Sequence, residues 1–117
     1  MKLLSTTTAA VATLMLASAA VKAKPFIYTS FYSYSGSYKS CIKKAEAALT
    51  SLGLEELEYD NTNENNRSVS IAGYHKNEYL TAEIECDQKL GITSLGIAGL
   101  DNEITFEYYE KLYDSEW

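Results

Sequence analysis

The chain has 117 residues, and its 16 Asp and Glu outnumber its 10 Lys and Arg, which gives a net charge of −6 at neutral pH. This charge disfavours nucleic acid and anionic membrane surfaces as partners, because both are bound mainly through clusters of Lys and Arg. The length fits one small domain, and the sequence contains no internal repeat.

The N-terminal segment has the pattern of an export signal. Lys2 gives a positive start, and a run of small and apolar residues follows from Ala9 to Ala20. A membrane-spanning helix needs about 20 apolar residues, so this run is too short for permanent insertion.

Small residues suited to signal peptidase end at Ala20 and at Ala23, and we favour cleavage after Ala23. The sequence then divides into a signal peptide over 1–23 and a single domain over 24–117. Removal of the signal leaves eight basic and sixteen acidic residues, a net charge of −8. We expect a secreted or periplasmic protein without stable membrane insertion after cleavage.

The first predicted strand runs from Phe26 to Tyr34, since aromatic and hydroxyl residues are typical of strands. Ser35, Gly36 and Ser37 then break the pattern and can cap a helix that begins near Tyr38.

Tyrosine is the most unusual feature of the composition, with ten in the chain. Both faces of the first strand are apolar or aromatic, so one of its tyrosine rows is expected to lie outside the core. Tyrosines interleaved with serines are also typical of antibody binding surfaces. The candidate binding surface consists of Tyr28, Tyr32, Tyr34 and Tyr38.

The segment after Tyr38 has the clearest helical pattern. Gly53 suits a left-handed helix end, and Leu54 can fold back on the last turn. The apolar positions follow the three-and-four spacing of one buried stripe: Tyr38, Cys41, Ile42, Ala45, Ala48, Leu49 and Leu52.

Three further strands are predicted in the middle of the chain. A short edge strand over Leu54 to Tyr59 is followed by a polar loop over Asp60 to Arg67. Alternating patterns over Ser68 to Tyr74 and Tyr79 to Asp87 then indicate two strands joined by a hairpin turn at His75 to Glu78.

The apolar run from Ile92 to Ala98 predicts a strand packed on both faces. A final helix is expected after Asp101, a good N-cap, with Ile104, Tyr108 and Leu112 on one face. The same segment also alternates in the manner of a strand, but its length and cap favour the helix.

These elements predict an α+β fold of order β-α-β-β-β-β-α: a two-layer sandwich with an antiparallel sheet of four to five strands and two helices on one face. Cys41 and Cys86 are the only cysteines, and an oxidising compartment favours their pairing. The disulfide would connect the helix layer to the sheet.

Several short motifs stand in the predicted elements: Ser40-Cys41, Ala45–Leu49 on a helix, Gly73-Tyr74 in a hairpin, Ile84-Glu85-Cys86 and Ile97-Ala98-Gly99. Together they resemble short exported bacterial proteins of uncharacterised function. The resemblance implies an α/β domain with one structural disulfide and assigns no site residue.

Catalytic and metal-binding patterns are weak. His75 is the single histidine and lies in a predicted turn, so histidine-based catalysis would depend on it alone. Glu83 and Glu85 share one strand face. A solvated outer surface explains this placement better than the catalytic acid and base of a glycosidase. The loop 60–65 lacks the Gly and closing Glu of a calcium loop. We therefore expect no catalytic residue, no metal and no cofactor.

The sequence thus favours a noncatalytic exported interaction module that binds a protein or glycan through its tyrosines, with no nucleic-acid partner. A small cell-envelope enzyme, or an inhibitor of a hydrolase or protease, remains the alternative. The sequence does not determine the oligomeric state.

Overall fold

The computed structural model describes residues 24–115, so the predicted signal peptide over 1–23 lies outside the described residues. The described chain folds into five strands, two α-helices and one 3-10 turn, in the predicted order. The elements are β1 (Phe26–Ser33), α1 (Tyr38–Ser51), β2 (Glu55–Asp60), a 3-10 turn (Glu64–Asn66), β3 (Ser68–His75), β4 (Leu80–Asp87), β5 (Ile92–Gly99) and α2 (Asn102–Tyr113).

All five strands belong to one antiparallel sheet of order β1-β5-β4-β3-β2. The three consecutive strands β3, β4 and β5 pair through short turns, whereas β1 is added beside β5. Strands β1 and β2 are therefore the two edges. This arrangement confirms the predicted α+β class.

Local sequence sets both ends of α1. The Ser37 side chain accepts a 3.1 Å hydrogen bond from the Ser40 N–H and caps the first turn. Gly53 adopts the left-handed conformation, with φ of +81°. The chain then reverses, and the Leu54 N–H donates to the Leu49 carbonyl at 3.0 Å. The predicted helix end is confirmed.

The N-cap residue Asp101 favours a helix over a strand in the last element. The Asp101 carboxylate accepts a 3.0 Å hydrogen bond from the Ile104 N–H, so the segment begins as a helix despite its strand-like alternation. Leu112 is fully buried, and Ile104 and Tyr108 pack partly buried against the core. The predicted stripe of α2 is therefore confirmed.

The core lies between the helices and the inner face of the sheet. Helix α1 packs on β3 and β4, and α2 packs on β5 and β1. The most deeply buried side chains come from both layers: Cys41, Ala45, Leu49, Ile71, Leu80, Ile84, Cys86, Ile97 and Leu112.

The predicted disulfide joins these two layers. Cys41 in the first turn of α1 is bonded to Cys86 on β4, with their Cα atoms 6.0 Å apart and both residues fully buried. The Thr93 hydroxyl lies 3.3 Å from the Cys41 sulfur, so the bridge also contacts β5.

One packing expectation was wrong. Strand β5 was predicted to be packed on both faces, but only its inner residues, including Leu95 and Ile97, are buried. Its outer positions, Ser94, Gly96 and Ala98, are partly exposed. Both helices lie on the inner face, so no element of residues 24–115 covers the outer face.

Neither helix in the described part of the chain combines the length and the apolar character that a membrane crossing requires.

Candidate binding surface

Two of the predicted site residues, Tyr28 and Tyr32, lie on the inner face of β1 and pack against α2. The Tyr28 ring centre is 5.3 Å from that of Phe106 and 5.5 Å from that of Tyr109. The Tyr28 hydroxyl also donates a hydrogen bond to the Asn102 side chain at the start of α2. Tyr28 is thus a half-buried packing residue whose outer edge reaches solvent.

The aromatic contacts continue along α2. Phe106 and Tyr109 stack at 6.1 Å, Tyr109 and Tyr113 are also 6.1 Å apart, and Tyr113 meets Tyr32 edge-on at 6.2 Å. Such ring pairs contribute about 0.5–1.5 kcal/mol each beyond the area they bury. Phe106 and Tyr113 nevertheless remain 42% and 49% exposed.

Tyr34 extends this group beyond the end of β1. Tyr34, Tyr32, Ser33 and Tyr113 line a groove of about 300 Å³. The Tyr34 hydroxyl donates to the Ser40 hydroxyl at 3.3 Å, and the Lys44 ammonium lies 5.6 Å from the ring centre. These contacts hold the ring in place beside the groove.

We call this group the tyrosine-rich surface; it consists of Tyr28, Tyr32, Tyr34, Phe106, Tyr109 and Tyr113. Sequence reasoning missed the contribution of α2. The signal was present, because Phe106, Tyr109 and Tyr113 lie three and four residues apart and so share one side of a helix.

Tyr38 is not part of this surface. Its hydroxyl donates to the Glu64 carboxylate at 3.3 Å, and its backbone N–H donates to the Gln88 side chain at 3.0 Å. Tyr38 therefore connects the start of α1 to the 3-10 turn and to the β4–β5 turn.

The tyrosine-rich surface contains no Asp, Glu, Lys, Arg or His. Burial raises the pKa of Tyr32 above its ordinary value, and the neighbouring Tyr113 raises it further. A neutral phenol provides an apolar ring and a polar tip, the combination that makes tyrosine common in binding surfaces.

The two edge strands of the sheet differ in how they are protected. Strand β2 has an irregular register between Glu55 and Glu58, and Glu56 within it has a positive φ of 52°. Charges and bulges of this kind discourage pairing with another strand. Strand β1 pairs with β5 in an unbroken eight-residue register and contains no charged residue and no proline.

The other candidate residues serve local structure. The His75 Nδ1 accepts a 3.2 Å hydrogen bond from the Glu78 N–H, and its Nε2 lies 3.3 Å from the Tyr108 hydroxyl. The Asp60 carboxylate accepts hydrogen bonds from the Thr62 N–H and hydroxyl, which lower the pKa of Asp60. Within residues 24–115, no three His, Cys, Asp or Glu side chains lie close enough to hold a metal ion.

The fold and surface define a two-layer α+β domain in which one disulfide joins the layers and one sheet edge is bordered by aromatic rings. The chain matches no protein-family model, no curated protein and no solved structure.

Proposed function

We propose that this protein is an exported, noncatalytic interaction module that binds an extended segment of a partner protein along β1. The observation that carries the proposal is the contrast between the two edges of the sheet: β2 is charged and irregular, whereas β1 is regular and uncharged. An exposed edge strand offers backbone hydrogen-bonding groups to an added strand.

The aromatic rings beside β1 support this assignment. A strand added to β1 would place alternate side chains next to the tyrosine-rich surface, where Phe106 and Tyr113 are only about half covered. Aromatic side chains are the commonest hot spots of protein interfaces, because they bury a large area at little cost in side-chain entropy. Backbone pairing would provide affinity, and the rings would select the partner's side chains.

The disulfide and the N-terminal sequence pattern both support the proposal that the protein is exported. Cys41 and Cys86 are joined within the core, and structural disulfides persist mainly in oxidising compartments.

The test compares two double variants that each remove two exposed apolar residues. Phe106→Ser/Tyr113→Ser removes the exposed rings beside β1, whereas Tyr79→Ser/Leu90→Ser removes two even more exposed apolar residues from two hairpin turns. The direct replacement of Tyr28 and Tyr32 is a poorer test, because these rings are more buried than Phe106 and Tyr113 and Tyr28 also donates to Asn102 at the start of α2. Circular dichroism and thermal unfolding of Phe106→Ser/Tyr113→Ser check that it remains folded, since Phe106 contacts Tyr28 and Tyr113 contacts Tyr32.

The partner is captured from the envelope and culture medium with the wild-type protein, and its dissociation constant is then measured for each variant. We expect Phe106→Ser/Tyr113→Ser to weaken binding about tenfold or more, and the turn variant to change it less than twofold. A photocrosslinking residue at Thr29 should label the partner, and one at Glu58 should not. Equal affinity of the wild-type protein and the Phe106→Ser/Tyr113→Ser variant, or capture of a glycan instead of a protein, would refute the proposal.

A further inference from the structure

The outer face of the sheet carries a second surface, distinct from the tyrosine-rich surface. Residues at outward positions alternate with core residues along each strand, and the sheet register aligns them across neighbouring strands. Two of these aligned rows run from Thr29 through Gly96 to Glu83, and from Phe31 through Ser94 to Glu85. Each row thus passes from β1 across small residues of β5 to a carboxylate of β4.

The charges on this face have one sign. No outward position of the five strands is Lys or Arg. Six outward positions are acidic, and they form two columns on either side of β3, whose outward residues are Ser68, Ser70, Ala72 and Tyr74. The columns are Glu83, Glu85 and Asp87 on β4, and Glu55, Glu58 and Asp60 on β2. The columns are two strands apart, about 10 Å.

None of these carboxylates forms an ion pair within residues 24–115, although Glu85 accepts a 3.2 Å hydrogen bond from the Ser68 hydroxyl. The single ion pair among residues 24–115 joins Lys111 and Glu107 on α2, and the basic side chains Lys39, Lys43 and Lys44 lie on α1 in the other layer. A surface that serves solubility alone usually mixes both signs. Here six of the sixteen acidic residues share one face whose strands carry no Lys or Arg and which no element of residues 24–115 covers.

The same face has an apolar border. Phe31 and Ile27 on β1 are 74% and 65% exposed, the former the most exposed large hydrophobic residue in the described chain. Phe31 lines a shallow groove of about 600 Å³ whose floor includes Ser94 and Gly96 and whose opposite wall includes Glu83 and Glu85. One wall of the groove is therefore aromatic and the other is anionic.

We infer that this groove binds a basic, extended segment of a partner protein, with an arginine side chain lying between Phe31 and the Glu83–Glu85 pair. The arginine plane can stack on an aromatic ring while its fork of N–H groups donates to carboxylates. Alternate residues of an extended chain repeat about every 6.6 Å, which is also the spacing of carboxylates along one face of β4.

Other occupants fit the charges less well. Nucleic acid and anionic lipid would be repelled. A second copy of the chain, docked face to face, would bring the acidic columns of both copies together without a cation between them. This inference concerns the outer face and does not rest on the proposed role of the tyrosine-rich surface.

The test uses the purified, disulfide-bonded protein and an eight-residue peptide of alternating arginine and threonine, with the matching glutamate peptide as the opposite-charge control. Glu83→Gln/Glu85→Gln removes two charges from the groove. Glu103→Gln/Glu110→Gln removes two charges from exposed positions of α2 and leaves the same net charge. Binding is measured by calorimetry and mapped by NMR chemical shifts.

We expect the arginine peptide to bind, the glutamate peptide not to bind, and the groove variant to weaken binding about tenfold or more. The α2 variant should weaken it less than threefold, and Phe31→Ser should weaken it measurably at high salt, where ring contacts persist. Shifted amides should lie on β1, β5 and β4. Equal weakening by the two glutamine variants, shifts outside these strands, or dimerisation through this face would overturn the inference.

The two proposals can fail separately. Phe106→Ser/Tyr113→Ser leaves the outer face unchanged, so it should bind the arginine peptide with wild-type affinity. Loss of peptide binding in that variant would contradict the outer-face inference, whereas loss of the captured partner alone would support the role of the tyrosine-rich surface.

Discussion

Cys41, in the first turn of α1, is bonded to Cys86 on the inner face of β4, and the two residues are 45 positions apart in the chain. The bridge is fully buried in the centre of the core. In the folded state the bridge holds the helix layer against the sheet. In the unfolded state it limits the conformations that the chain can adopt.

Reduction of this disulfide should lower the free energy of unfolding by up to about 4 kcal/mol, because a cross-link of this span removes chain entropy from the unfolded state. That is a large share of the stability of a small domain. Urea unfolding of the oxidised and reduced protein measures the difference. A Cys41→Ala/Cys86→Ala variant should unfold close to the reduced protein; an unchanged midpoint after reduction would contradict the expectation.

Tyr28→Ser and Phe31→Ser should differ strongly in their effect on stability, although the residues are three positions apart on the same strand. Tyr28 contacts Phe106 and Tyr109 and donates to Asn102, so its loss should destabilise the fold by about 2–3 kcal/mol. Phe31 points to solvent, and its replacement should change stability by less than about 0.5 kcal/mol. Denaturant unfolding of both variants measures the two free energies of unfolding. A loss of stability in Phe31→Ser as large as that in Tyr28→Ser would contradict the exposed position of Phe31.

The hydrogen bond between Tyr59 on β2 and Glu46 on α1 should be lost at strongly alkaline pH. The Tyr59 hydroxyl donates to the carboxylate at 2.6 Å, and this bond, with smaller effects of burial and of the Glu46 charge, raises the pKa of Tyr59 to about 12. In the unfolded chain the phenol ionises near pH 10. The stabilisation is thus complete below pH 10 and is lost as the pH rises through 12.

NMR of tyrosine labelled at the ring Cζ carbon can follow Tyr59 individually, with Tyr59→Phe used for assignment. We expect Glu46→Gln to move the Tyr59 midpoint back towards 10, since the acceptor loses its charge. The effect on stability should stay below about 1 kcal/mol because the pair is exposed. A midpoint near 10 in the wild-type protein would rule out the interaction in solution.

Gly99 and Gly96 lie three residues apart on β5 and should respond differently to a methyl group. A methyl at Gly99 would overlap the Thr105 hydroxyl and lie 3.1 Å from the Leu80 Cβ, so α2 would have to move away from the sheet. A methyl at Gly96 would meet only the Thr29 methyl, at an ordinary 3.7 Å.

We therefore expect Gly99→Ala to lower stability by about 2–3 kcal/mol and Gly96→Ala to be neutral or to stabilise by up to about 1 kcal/mol, since glycine is unfavourable inside a strand. Thermal unfolding of the two variants provides the comparison. A Gly99→Ala variant as stable as the wild-type protein would contradict the close packing of α2 against β5 at this position.

Much of the fold could be predicted because local chemistry sets the ends of its elements. Ser37 and Asp101 cap the two helices at the expected positions, and Gly53 ends the first of them. The pairing of Cys41 with Cys86 followed from the composition, since the chain has only two cysteines. These features depend on neighbouring residues or on residue type, which a sequence displays directly.

The surfaces could be predicted only in part. Alternation correctly divided β1 into two faces, but it could not show that Tyr28 and Tyr32 face α2 while Phe31 faces solvent. That assignment depends on which face the helices cover, a property of packing between elements distant in the chain. The same reason explains the error on β5, whose apolar run was consistent with burial on both faces.

By itself, the sequence determined the order of the elements, both helix caps, the disulfide and the acidic charge, because each depends on local spacing or on counting residues. Only the tertiary structure decided that aromatic rings of β1 and α2 form one surface, and that the carboxylates of β2 and β4 share the outer face of the sheet with Phe31. These residues are far apart in the chain, and the strand order and the one-sided packing of the helices bring them together.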